Sequence, residues 1–234
     1  MNYSELSSAI QTYTENNFPT ITLADSSTVS STAQINRFIQ QAEQRIYNSV
    51  QFPSLRKNQT GTITSGNKYL STPTDFLSSY SLAVFTGSGP YTYLLNKDVN
   101  FIREAYPTPS DTGTPKYYAL FGPTVSGSTI STDLTFILGP TPDAAYTAEL
   151  HYYYYPDSIT AGTATTYTWL SENFDTVLLY GALVEAYTFM KGEADLIALY
   201  DGKYKEALAL AKRLGDGLER QDAYRSGQYR QAVT

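Results

Sequence analysis

A chain of 234 residues with 41% hydrophobic and 14% aromatic side chains can bury a sizeable core, which excludes wholesale disorder. Charged residues make up only 16%, so the polar load falls on Ser, Thr, Asn, Gln and 22 Tyr, a residue apolar on its ring and polar at its tip. The formal charge of −6 argues against tight phosphate binding by the body of the chain, and the absence of Cys excludes disulfides, thiol nucleophiles and Cys-ligated metals.

The first predicted element is a helix over 3–16. Tyr3, Leu6, Ile10 and Tyr13 recur at helical spacing, Asn2 and Glu5 resemble a capping pair, and Pro19 follows the end. A Ser/Thr-rich loop over 20–32 leads to a second helix over 33–50, with Thr32 as its cap and an apolar stripe of Ile35, Phe38, Ile39, Ala42, Ile46 and Val50. Gln34, Gln40, Gln41, Gln44 and Arg45 are expected to face mostly away, and Pro53 stops the helix. Helical periodicity then largely disappears. Strands are predicted at 59–64, 68–71, 80–86, 91–95, 116–121, 128–138 and 146–155, with one short helix at 97–105. Their spacing suggests an antiparallel sandwich or barrel-like insertion. Helical spacing returns from 171, where Ser171 is the expected cap, and a final helix over about 193–214 ends at Gly215.

The predicted architecture is therefore α+β. It has a four-helix bundle core from residues 1–57 and 169–215, an antiparallel β-rich insertion at 58–168 between helices 2 and 3, and an extended C-terminal tail at 216–234. Charge separates along the chain. Residues 1–211 hold 19 acidic and 11 basic side chains, whereas residues 212–234 hold 3 and 5. The N-terminus shows no basic-then-apolar leader and no apolar run approaches the ~20 residues that span a bilayer, so a soluble chain made without a cleavable signal is expected.

The residues suggest no catalytic, cofactor or metal site. His151 is the single histidine, sits in a predicted strand, and is read as an ordinary strand residue. The acids Asp75, Glu104, Asp111, Asp133, Asp143, Glu149 and Asp157 are scattered, mostly beside turn-forming residues. A carboxylate-based hydrolase would need two of them facing each other about 5–10 Å apart. The run Tyr152–Tyr155 is read as a central strand packing on both faces, its alternative being an aromatic platform for a glycan or a partner protein.

The order of short motifs is more specific than any one of them. It comprises Tyr3-Ser4-Glu5-Leu6, the helix Ile39-Gln40-Gln41-Ala42-Glu43-Gln44-Arg45-Ile46, and the turn Thr72-Pro73-Thr74-Asp75-Phe76-Leu77. Then come Pro115-Lys116-Tyr117-Tyr118-Ala119-Leu120, Leu138-Gly139-Pro140-Thr141-Pro142-Asp143 and the Leu150–Pro156 strand. Helices around Leu178-Leu179-Tyr180-Gly181-Ala182-Leu183 and Tyr200-Asp201-Gly202-Lys203-Tyr204 complete it. This succession resembles the head-to-tail connector adaptor (head completion) proteins of tailed bacteriophages over nearly the whole chain.

The resemblance implies a non-enzymatic virion protein of the neck, made in the host bacterial cytoplasm and needing no membrane. It implies a homo-oligomeric ring, commonly of twelve subunits, below the portal protein, through which double-stranded DNA passes without specific binding. The helical part would form the ring body and the β part would face a tail, nozzle or stopper protein. The C-terminal tail would reach the portal, with Arg220, Tyr224, Arg225, Tyr229 and Arg230 as the docking residues. The acidic body would repel DNA and let it slide. A glycan-binding β module of a tail or fibre protein is the alternative expectation.

Overall fold

The computed structural model describes residues 1–122, 125–126, 129–130 and 134–225, with the backbone alone at 53, 125–126, 129–130 and 215–225. The chain opens with helix α1 (Tyr3–Thr14), a small hairpin of β1 (Ile21–Thr22) and β2 (Thr28–Val29), and helix α2 (Ser31–Ser49). A 3₁₀ turn (Pro53–Leu55) leads into β3 (Arg56–Ile63), β4 (Tyr69–Ser71), β5 (Ser78–Phe85), β6 (Thr92–Tyr93) and β7 (Leu95–Asn96). Helix α3 (Val99–Ala105) is followed by β8 (Thr112–Gly113), β9 (Tyr117–Phe121), β10 (Val125–Ser126), β11 (Thr129–Ile130), β12 (Thr135–Gly139), β13 (Thr141–Pro142) and β14 (Tyr146–Tyr153). The chain then makes α4 (Trp169–Asn173), α5 (Asp175–Phe189) and α6 (Ala194–Arg225). The result is α+β, in two compact units: residues 1–55 with 156–234, and residues 56–155.

In the helical unit, the Asn2 side chain accepts from the Glu5 amide at 2.8 Å while the Glu5 carboxylate accepts from the Asn2 amide at 2.9 Å. This capping box satisfies two amide donors at the start of α1. Helix α5 contacts α1, α2 and α6. Nine of its fifteen residues are buried, so it is apolar on nearly every side, as a helix enclosed by neighbours must be. Gly181 sets its closest approach: a Cβ there would lie 3.1 Å from the Ala42 Cβ and 3.3 Å from the Tyr204 ring.

Four local readings change in this unit. The cap of α2 is Ser30, whose hydroxyl accepts from the Ala33 amide, and not Thr32. Gln34 faces inward, only 4% exposed, and its amide donates to the carbonyls of Phe18, Pro19 and Val29, tying the 18–30 loop to α2. Ser171 is not a cap but the third helical residue in a capping box with Thr168. The chain breaks after it at Phe174, which stacks on Phe52 and packs at a tilt against Trp169, with centroids 5.4 and 5.6 Å away. Finally, α6 does not stop at Gly215 but continues to Arg225, so residues 216–225 are helical rather than extended. Each glycine costs a helix about 1 kcal/mol relative to Ala and does not by itself terminate one.

The second unit is a two-layer sandwich. One sheet runs β3-β14-β5-β6, entirely antiparallel, with β14 in the middle. The other runs β4-β12-β9-β7. Not every pairing is antiparallel: β7 joins β9, and β8 joins β13, in parallel. On β14, Tyr146, Ala148, Leu150 and Tyr152 are buried while the alternate residues are half-exposed, the period of two expected of a strand with one core face. Across from them Tyr118, Phe136 and Leu138 complete the core, with Ile63, Phe76, Leu82, Val84 and Leu94. The opposite face of the second sheet, Ala119 and Ile137, is covered by Ile102 of α3. Gly139 permits this cover, since a Cβ there would lie 2.8 Å from Ile102 and 2.9 Å from Tyr106.

Candidate assembly surfaces

The Pro-x-Asp-Phe turn positions a structural triad inside the β unit. Phe76 packs edge-on against Phe136 with centroids 5.4 Å apart. Asp75 Oδ2 pairs with Lys57 Nζ at 2.8 Å, and Asp75 Oδ1 accepts from the Tyr152 hydroxyl at 2.8 Å. The Lys57 ammonium holds the Asp75 carboxyl below its ordinary value and is itself held above its own by the same hydrogen bond. Burial, and then the Asp75 hydrogen bond, push the Tyr152 hydroxyl up. Asp75 is thus engaged in tying β3 to β14.

Three of the other acids have comparable employment. Asp143 accepts from the Tyr146 hydroxyl at 2.6 Å, Glu149 from the Asn58 amide at 2.7 Å and Asp111 from the Thr108 amide at 3.2 Å. Asp133 lies outside the described residues. No group of three or more His, Asp or Glu side chains is gathered for a metal ion among the described residues.

The outer face of the first sheet is aromatic and cationic. The Arg56 guanidinium lies 4.7 Å over the Tyr80 ring and 5.6 Å over that of Tyr153. Tyr80 meets His151 edge-on with centroids 5.1 Å apart, so His151 is a half-buried member of an aromatic cluster. Tyr91 packs on Phe85 at 4.5 Å, and the Glu149 charge raises its hydroxyl pKa. Tyr80, Tyr91 and Tyr93 are 52%, 51% and 68% exposed. Exposed Tyr beside a half-buried Arg is a combination of the residue types that protein interfaces use as anchors. Sequence reasoning singled out Tyr152–Tyr155 instead, but Tyr152 is fully buried in the core. Alternation along β14 was the available signal; the strands that supply Arg56, Tyr80 and Tyr93 lie 50 or more residues away in sequence.

On the helical unit, Arg45 pairs with Glu185 and lies 5.8 Å from the Tyr204 ring centroid. The Tyr204 hydroxyl is buried without a hydrogen-bond partner among the described residues. Glu43 is 3% exposed, and its carboxylate accepts the Ile159 amide at 3.1 Å. Burial raises its pKa, partly offset by hydrogen bonds from Ser158 and Ile159. In the sequence Tyr204 and Glu43 both stand only inside longer motifs, with no individual role.

Of the five basic and aromatic residues read as the docking tail, Arg220, Tyr224 and Arg225 fall on the last turns of α6. Tyr229 and Arg230 lie outside the described residues.

The model of the SU10 adaptor protein family matches residues 1–231, and the chain belongs to that family of phage adaptor proteins. Membership implies a component of the phage particle that contacts other head or tail proteins. No curated protein matches the chain. No helix among the described residues is long and apolar enough to cross a membrane.

Proposed function

We propose that the chain is the subunit of a ring of twelve copies that sits beneath the portal in the virion neck. The ring continues the DNA channel and gives a tail, nozzle or stopper protein its docking surface. The observation that carries this reading is the family match, which spans both units from residue 1 to 231.

In this reading α1, α2, α5 and α6 act as a four-helix ring body. The β sandwich turns toward the tail and offers the Arg56–Tyr80–Tyr93 face to it. The end of α6 and the residues after it reach the portal through Arg220, Tyr224, Arg225, Tyr229 and Arg230. What supports this assignment is the reversal of charge near residue 212 and the length of α6. Its 32 residues extend about 48 Å at 1.5 Å per residue, roughly twice the length of α5. The acidic body would line the channel and let double-stranded DNA slide past.

The test is deletion of residues 219–234. The truncated chain should fold as before, by circular dichroism and thermal unfolding, and should fail to co-sediment with its cognate portal. Portal binding that survives the deletion contradicts the tail assignment.

A further inference from the structure

The sandwich is open along one side. Strand β3 pairs with β14 and, among the described residues, with no other strand; β4 is likewise the last strand of the second sheet. Between the two edges runs a slot of about 140 Å³, walled by residues 59–61 and 70–73 and floored by Ala148 and Leu150. A cavity of about 150 Å³ with aliphatic walls accepts a benzene-sized guest, so this one has room for a branched aliphatic side chain.

The inward positions of β3 are those aligned with the buried residues of β14, and Gly61 is the one opposite Ala148. A Cβ built on Gly61 meets nothing within 4 Å. The inner layer of the sandwich therefore lacks a side chain where its edge is also unpaired.

The helical unit carries a feature of matching chemistry. Hairpin β1–β2 has two residues in each strand, less than a hairpin needs to be stable by itself. Ile21 and Leu23 are 39% and 46% exposed. Two positions apart on an extended chain, they point to the same side. Residues 20–24 carry no charge, and neither do the walls and floor of the slot. The first charge on the hairpin is Asp25, at its turn, while Lys68 immediately precedes β4, two residues before the slot's wall begins at Leu70. Polarity and charge thus agree along both partners.

We propose that the β1–β2 hairpin of one copy adds to the free edge of β3 in a neighbouring copy, seating Leu23 over Gly61. Backbone pairing supplies the attraction and the slot supplies the specificity, as in other strand-addition contacts. The contact joins two different surfaces, so it propagates head to tail and closes into a ring when the rotation allows. It rests on the ring reading given above. A pairing this short buries far less than the ~1,200 Å² of a stable two-body interface, so two copies alone stay apart and closure of the ring holds each contact.

The chain has no cysteine, which makes the test clean. Rings are assembled on the cognate portal from an equal mixture of Leu23→Cys and Gly61→Cys chains and then oxidised. A disulfide-linked dimer present in the mixture and missing from either variant alone is the expected result. Rings that form without that cross-link overturn the hairpin–slot contact and leave the ring reading standing. Failure of the wild-type chain to form rings on the portal overturns the ring reading, and this proposal with it. Gly61→Phe, which fills the slot from within, is expected to weaken ring assembly at least tenfold while the free chain unfolds as wild type does. Assembly at the wild-type level by this variant also overturns the proposal.

Discussion

The backbone amide of Ile159 donates to the carboxylate of Glu43 at 3.1 Å, with both residues withdrawn from solvent. The bond fastens the 3₁₀ turn at Ile159–Ala161 to the middle of α2. A carboxylate in such a place is held at the expense of its hydration.

The sign of the pH dependence follows. The folded-state pKa of Glu43 lies above its ordinary value of 4.5. Folding therefore favours the protonated acid, and this contribution is fully present below pH 4.5 and lost as pH rises through the raised folded value. Glu43→Gln keeps an acceptor for Ile159 and removes the charge. It is expected to match or exceed wild-type stability at pH 7.5 and to flatten the pH dependence above 4.5. Glu43→Ala leaves the Ile159 amide unpaired and is expected to cost about 1–3 kcal/mol. Urea unfolding of the three chains at pH 5 and 7.5 measures both effects; a large loss for Glu43→Gln at pH 7.5 would contradict the account.

Two buried tyrosine hydroxyls have opposite expectations. The Tyr152 hydroxyl donates to Asp75 and also lies 3.2 Å from Gln59 Oε1, so Tyr152→Phe should cost about 1 kcal/mol. The Tyr204 hydroxyl has no partner among the described residues, so Tyr204→Phe should be neutral or stabilise by up to about 1 kcal/mol. Thermal unfolding of the two variants side by side decides it, and equal losses would refute the distinction.

Gly181 stands where α5 meets α2 and α6. Gly181→Ala gains helix propensity of about 1 kcal/mol but brings a methyl to 3.1 Å from Ala42, so the two effects should nearly cancel. Gly181→Val adds branches with nowhere to go and should destabilise by about 1–3 kcal/mol. A Gly181→Val chain as stable as wild type would show that the helices are not packed this closely.

Tyr93 is the most exposed of the large apolar side chains among the described residues, at 68%. Tyr93→Asp should change stability by less than about 0.5 kcal/mol, as exposed substitutions do. If the outer sheet face receives the tail, the same change should leave particles with filled heads that fail to gain tails. Normal tail attachment, counted by electron microscopy, would remove this face from the docking surface.

Local signals carried much of the fold. Asn2 with Glu5 marked the start of α1, the Ile35–Val50 stripe marked α2, and the loss of helical period marked the β unit. The cap of α2 was misplaced because Ser30, Ser31 and Thr32 are chemically equivalent, and the choice depends on how Gln34 ties down the preceding loop. A sandwich was legible from the spacing of the strands but their order was not, because β3 pairs with a strand some 90 residues later and no local pattern encodes that partner. The candidate surfaces were hidden for the same reason. Arg56, Tyr80 and Tyr153 form one cluster only after three strands assemble, whereas the consecutive tyrosines that stood out in sequence alternate between core and surface.

The central claim is assembly with a portal, and native mass spectrometry of the chain mixed with its cognate portal measures it most directly. A monomer or weak oligomer alone, and one defined ring of twelve copies per portal in the mixture, is the expected result. A mixture in which portal and chain keep their separate masses would contradict the account.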